Sequence, residues 1–185
     1  MKQILLSAAL LSAATLTQAA GFTLSSPNIK ANSPIAQSFE FNGFGCAGDN
    51  QSPALKWSGA PKDAKTFAVT VYDPDAPTGS GWWHWMVINI PADVTELAAN
   101  AGAVGGTNLP AGARQARIDY GVSAWGGVCP PAGAKPHRYI FTVHALKDKL
   151  DVPADATAAL TGYMINGNSL GKASFTATYG RPKAK

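Results

Sequence analysis

Charge is what this chain has least of. Only 14% of its 185 residues are Asp, Glu, Lys or Arg, and the net charge is +4. The basic residues are scattered, with one cluster at Arg181-Pro182-Lys183-Ala184-Lys185, so the basic stripe of a nucleic-acid binder is missing. Cysteine is scarce too: Cys46 and Cys129 are the only two, and without C-x-x-C spacing they do not read as a metal site. No G-x-x-x-x-G-K-[ST] loop is present, which leaves nucleotide hydrolysis unsupported. No segment after the N-terminus is apolar enough to cross a bilayer, and no amphipathic basic helix suggests docking on one. What remains is 46% hydrophobic, enough for a core and against disorder. With Gly 19 and Pro 13, the turns point to a β-rich body, and the length fits one domain without repeat or linker.

The N-terminus reads as a cleaved export signal. Met1-Lys2 gives a positive start, Ile4 to Leu16 an apolar run too short to span a membrane, and Thr17-Gln18-Ala19 small residues at the cleavage position. Cleavage after Ala19 leaves a domain of residues 20–185, and losing Lys2 lowers the net charge from +4 to +3. No cysteine follows the cut, which argues against a lipid anchor. The expected location is the periplasm. In that oxidising compartment Cys46 and Cys129 pair as a disulfide; the alternative is two buried, unpaired thiols.

Alternation marks the strands. Phe22–Ser26, Gln37–Phe41 and Leu55–Trp57 read as short ones. In Thr66–Tyr72, Phe67, Val69 and Val71 share a face that Asp73 continues. In Trp83–Ile90, stopped by Pro91, strict alternation puts His84, Met86, Ile88 and Ile90 on one face and Trp83, Trp85 and Val87 on the other. In Arg138–Leu146, Tyr139, Phe141 and Val143 lie with His137 on one side and His144 on the other. Ser174–Tyr179 is the last strand. Asp155–Ile165 is helical with Asp155 as a candidate cap, and residues 92–136 read mainly as loop.

Chemistry concentrates at the strand ends. Asp73-Pro74-Asp75-Ala76-Pro77 is a rigid acidic turn, since each proline fixes φ and removes a donor, and each X-Pro bond has access to cis. Taken singly, His84 and His137 with Tyr139 read as satisfied core residues. Together, three strands each place a polar hydrogen-bonding group at or near an end, beside glycines that let a ligand approach backbone.

These blocks, with Gly81-Trp82-Trp83-His84-Trp85, Gly127-x-Cys129-Pro130-Pro131, His137-Arg138-Tyr139 and Asn50-Gln51-Ser52-Pro53-Ala54-Leu55, resemble the phosphatidylethanolamine-binding protein (PEBP) family. The similarity is to its bacterial YbhB/YbcL, Raf-kinase-inhibitor-like branch, and the exported two-cysteine form resembles the periplasmic YbcL type. It runs from about Phe22 to Tyr179. The resemblance implies a mainly β fold: a central antiparallel sheet, a smaller sheet and one or two peripheral helices. It also implies a non-enzymatic pocket for small anionic or phosphorylated groups, formed by Asp73, His84, Gly127, Cys129, His137 and Tyr139. Cys129 stands where the family usually has glycine or another small residue, which suggests that a Cys46–Cys129 bond braces the pocket rim. No cofactor is implied.

Phosphate oxygens accept from two imidazole N–H groups, a tyrosine hydroxyl and backbone amides. Asp73 then serves to orient and charge a histidine, or to accept from a protonated phosphate oxygen. Mildly acid pH favours binding as histidines near 6.5 become cationic. Three other readings compete. The G-x-S-x-G match at Gly167–Gly171 follows a helix and no Asp or His occurs after it, so a hydrolase elbow does not fit. Asp73, His84 and His137 are chemically plausible metal ligands. An inhibitor or regulator of a protein partner remains the alternative to a ligand binder. Whole-lipid binding has no apolar tunnel to support it, and ligand, partner and oligomeric state are not read from the sequence.

Overall fold

The computed structural model describes residues 21–183; the expected signal peptide and the last two residues lie outside them. The fold is mainly β. Its strands are β1 (Thr23–Ser25), β2 (Asn42–Gly43), β3 (Cys46–Ala47), β4 (Leu55–Ser58), β5 (Thr66–Asp73), β6 (Trp82–Pro91), β7 (Glu96–Leu97), β8 (Arg114–Gln115), β9 (His137–Leu146) and β10 (Ser169–Tyr179), with one α-helix, α1 (Ala158–Asn168). The central sheet runs β10-β9-β5-β6-β8, a smaller sheet β1-β4-β7, and β2-β3 forms a separate hairpin. All these pairings are antiparallel. Among the described residues no helix is long and apolar enough to cross a membrane.

The central sheet is buried on both faces. Phe67, Val69 and Val71 of β5 meet Tyr139, Phe141 and Val143 of β9 in one core, closed by Leu55 and Trp57 of the small sheet. The opposite face, with Ala68, Met86, Ile88 and Leu146, packs on Ala158 and Ile165 of α1. His144 lies on that face as expected, its Nε2 3.3 Å from Thr70 Oγ1 and its Nδ1 buried without a partner.

Strict alternation fails along β6. Val71 pairs with Trp85 but Tyr72 pairs with Trp83, which leaves His84 as an extra residue; a second shift falls between Phe67 and Val69. Asn89, opposite the second shift, has φ 59° and clasps Leu150 through both side-chain atoms, donating to its O at 2.9 Å and accepting from its N at 2.8 Å. A bulge rotates everything beyond it. Trp83, Met86 and Ile88 therefore share the α1 face, while Trp85, Val87 and Ile90 face the main core, against the expected grouping.

Three smaller expectations are corrected. Residues 37–39 form a 3-10 turn, not a strand, with Phe39 N and Glu40 N donating to Ala36 O and Gln37 O; pairing begins only at Glu40, opposite Val128. The helix cap is Thr157, whose Oγ1 accepts from Leu160 N at 3.1 Å, because Asp155 sits in a turn closed by Ala156 N to Pro153 O. No peptide bond among the described residues is cis, so Pro74 and Pro77 make their turn in trans.

Candidate functional site

The extra residue of the β6 bulge is the centre of the site. His84 is buried, and its Nδ1 lies 2.7 Å from Gly126 O and 3.1 Å from Gly127 O. Carbonyls only accept, so Nδ1 carries the proton and neutral His84 presents a bare lone pair at Nε2. Burial holds the ring at about 4, far below the usual 6.5, against the pull of the Gly126 carbonyl and of Asp73. The expectation that free His84 becomes cationic near pH 6.5 is thus corrected.

His137, at the start of β9, is held the same way. Its Nδ1 lies 2.7 Å from Asp73 Oδ2, and the other Asp73 oxygen accepts from Asp75 N at 2.8 Å. Each carboxylate oxygen therefore accepts one bond within the protein. Asp75 repeats the device one turn outward, accepting from Arg138 N, Nε and Nη2 at 2.8, 2.9 and 2.7 Å. The Arg138 guanidinium holds the Asp75 carboxyl down at about 2. The acidic turn is thus stitched to two consecutive residues of β9, and neither acid faces outward as a free ligand. No Nε2 partner exists for either His84 or His137 among the described residues, and neither atom is sealed from solvent.

Asp73, His84, His137 and Cys129 line one cavity of about 190 Å³, walled by Phe44, Pro77, Trp82, Tyr120 and Pro131. Six or so waters fill that volume, at about 30 Å³ each, and drug-sized ligands need about 300 Å³ or more. The cavity is headgroup-sized. A larger groove of about 510 Å³ by Val104, Leu109 and Gln115 has Arg114 as its only charged side chain, and that guanidinium is spent on Val152 O. The chemistry is in the smaller cavity.

Gly127 and Tyr139 do not line it. The Gly127 N–H donates to Asn50 Oδ1 at 2.8 Å and its carbonyl accepts from Tyr120 Oη at 2.9 Å as well as from His84, so its backbone is fully used. A Cβ there would lie under 3.0 Å from Phe41 N and Phe39 O. The glycine lets the protein's own backbone approach, not a ligand. Tyr139 is 0% exposed and packs edge-on against the His84 ring, centroids 5.1 Å apart. Its hydroxyl has no hydrogen-bond partner; the Cys129 N–H faces it without reaching hydrogen-bond geometry, and burial raises its pKa. Tyr139 supports His84 from below.

Tyr120 is the residue that motif reading misses. It lies in the glycine-rich loop, and burial raises its pKa, followed by the field of Asp73. Its ring meets Trp82 edge-on at 5.4 Å and His84 at 5.6 Å. The signal for it is its neighbour: Asp119 Oδ2 accepts from Trp83 N at 2.8 Å and so pins the loop to β6.

Cys46 and Cys129 form a disulfide. No group of three metal-ligating side chains is assembled among the described residues. Ser169, of the G-x-S-x-G match, donates to Gly171 O at 3.1 Å at the start of β10, away from the cavity.

The family model of phosphatidylethanolamine-binding protein matches residues 25–180. The UPF0098 protein YbcL of Escherichia coli strain K12 is 52% identical over 180 residues, covering 97% of this chain and 98% of that protein. The UPF0098 protein YbhB of the same strain is 49% identical over 140 residues, covering 75% of this chain and 87% of its own. The crystal structure of E. coli YbcL, described as a new member of the mammalian PEBP family, has 53% identity and a TM-score of 0.85, covering 90% of this chain and all (100%) of that one.

Proposed function

The chain belongs to the phosphatidylethanolamine-binding protein family, and from that premise we propose that it is a periplasmic, non-enzymatic binder of small oxyanions, a free phosphate or a phosphorylated headgroup. One observation carries the reading: two imidazoles, each anchored through Nδ1, open partnerless Nε2 atoms on one small cavity. The ligand contacts are His84 and His137, with Asp73 behind His137 and Cys129 on the wall. Gly127 and Tyr139 position His84.

Neutral His84, bearing a lone pair at Nε2, repels an anion, so a proton must enter with it. A phosphomonoester, whose second pKa is about 6, brings one as its monoanion and donates it to Nε2; otherwise the ring takes a proton from solvent. Asp73 neutralises a positive His137, making its N–H bond charge-assisted. The groups facing His84 are Asp73, His137, Tyr120 and Tyr139. No lysine or arginine lines the cavity to compensate a dianion. Acid pH then favours binding through proton uptake at His84.

The thiol and hydroxyl groups lining the cavity are already engaged. Cys129 is in a disulfide and the Thr78 hydroxyl donates to Gly81 O at 2.6 Å. The disulfide also favours an oxidising compartment. Calorimetry with phosphate and phosphoethanolamine at about pH 5.5, near the monoester pKa, tests the proposal. The wild-type chain binds both, and His84→Ala and His137→Ala lose binding. Equal binding by all three proteins overturns the site, and turnover of a phosphoester overturns the non-enzymatic reading.

A further inference from the structure

Phe44 occupies a place that backbone energetics disfavours. It and Gly45 are the two loop residues of the β2–β3 hairpin, with φ 51° and 76°. Two-residue hairpin loops with positive φ at both positions ordinarily carry Asn-Gly or Gly-Gly, because a bulky L-residue is strained there. A backbone outlier of this kind points to function. The ring is 78% exposed, yet it stacks on Tyr120 at 5.9 Å and 17° and lines the pocket mouth.

Phe41, at the base of the hairpin, meets the Phe44 ring with centroids 5.7 Å apart. β2 and β3 are two residues long, and an isolated two-stranded ribbon is marginal in water. The residue after the loop is Cys46, bonded to Cys129 on the cavity wall. Arg181 straddles the bond, donating to Gly45 O and, at 3.3 Å, to Pro130 O. The cavity thus has one polar end, with Asp73, His84 and His137, and a mouth of Phe44, Trp82, Tyr120 and prolines.

Resting on the oxyanion reading above, we propose that Phe44 is the specificity-determining residue of the pocket mouth and that the Cys46–Cys129 disulfide is its clamp, so that the thiol–disulfide state of this bond sets the affinity for oxyanions bearing an apolar substituent. Opening the clamp needs a dithiol reductant. Its thiolate attacks one sulfur, the Cys46–Cys129 bond breaks and a mixed disulfide forms. The second thiol resolves it, leaving two protonated cysteines and the oxidised reductant. Cys129 lines the cavity, so a bound ligand should shield the bond.

The test compares inorganic phosphate with phenyl phosphate on the wild-type chain, on Phe44→Ala and on wild type reduced with dithiothreitol. Phosphate affinity is expected to stay within about twofold throughout, while phenyl phosphate weakens about tenfold on Phe44→Ala and on reduction, with no further loss when both are combined. Phe44→Tyr should restore the affinity. Loss of both ligands in parallel, or no loss of phenyl phosphate, overturns the proposal. Should the reduced chain unfold, Phe44→Ala still tests the mouth, and slower reduction with phenyl phosphate present tests the clamp. Wild type that binds neither ligand defeats the oxyanion reading; the Phe44–Tyr120 ring contact seen by NMR then decides the clamp alone, which fails if the contact survives reduction.

Discussion

Acid should destabilise the ligand-free protein through two histidines. His84 is held at about 4 chiefly by burial, and His144 at about 4 by burial and then by Lys172. In the unfolded chain both return to about 6.5. The folded values lie below the unfolded ones, so the unfolded state binds more protons. The stabilisation is complete above 6.5 and is lost as pH falls toward 4. Each ring costs about 1.4 kcal/mol at pH of about 5.5, and about 2.5 kcal/mol at about 4.5. Together they remove about 5 kcal/mol, the whole stability of a weak domain and a third of a strong one. Asp75 adds nothing in this window, since its carboxyl titrates at about 2 folded and 3.8 unfolded. Urea denaturation followed by tryptophan fluorescence, stepped through pH, measures the slope. His144→Gln should halve it, and saturating phosphate should reduce the His84 half, because an anion at Nε2 favours the imidazolium. Stability that is flat between about pH 7 and about pH 5, or a slope untouched by His144→Gln, refutes the reasoning.

Three substitutions probe the supports of the site. Tyr139→Phe removes a hydroxyl without a partner; it should be neutral or stabilising by about 1–2 kcal/mol in urea and leave phosphate affinity unchanged, whereas weaker binding would place the hydroxyl on the ligand. Asn50→Ala strips the Gly127 N–H of its acceptor and should cost about 1–3 kcal/mol by thermal denaturation, with an unchanged Tm counting against that anchor. His137→Ala leaves Asp73 buried and unpaired and should cost about 3–5 kcal/mol; a loss below about 1 kcal/mol means that the pair is not a structural support.

What could be read in the sequence follows from which interactions are local. β5 and β9 announce themselves because both are buried and regular, so Phe67, Val69, Val71 and Tyr139, Phe141, Val143 keep period two from end to end. β6 exists where expected, but its faces are set by register against β5, and no pattern within Trp82–Pro91 reveals that His84 is supernumerary. The bulge is what turns His84 into the cavity, so the functional orientation is invisible to alternation. Asp73 was legible as a group that orients a histidine, though not as the partner of His137 in particular, and the disulfide through compartment and count. Gly127 and Tyr139 are named from the sequence as site residues, but the Gly127 backbone is consumed inside the protein and Tyr139 is buried beneath His84. Tyr120 and Phe44 escaped because each sits in a loop whose path is fixed by distant anchors, Asp119 on Trp83 and Cys46 on Cys129.

The chain has three histidines, two in the cavity and one on the far face of the sheet. Imidazole nitrogen NMR during a phosphate titration therefore carries its own control. The account predicts saturable shifts of His84 and His137 Nε2 toward the protonated form, while His144 stays put. Unmoved His84 and His137, or three histidines shifting together, would contradict it.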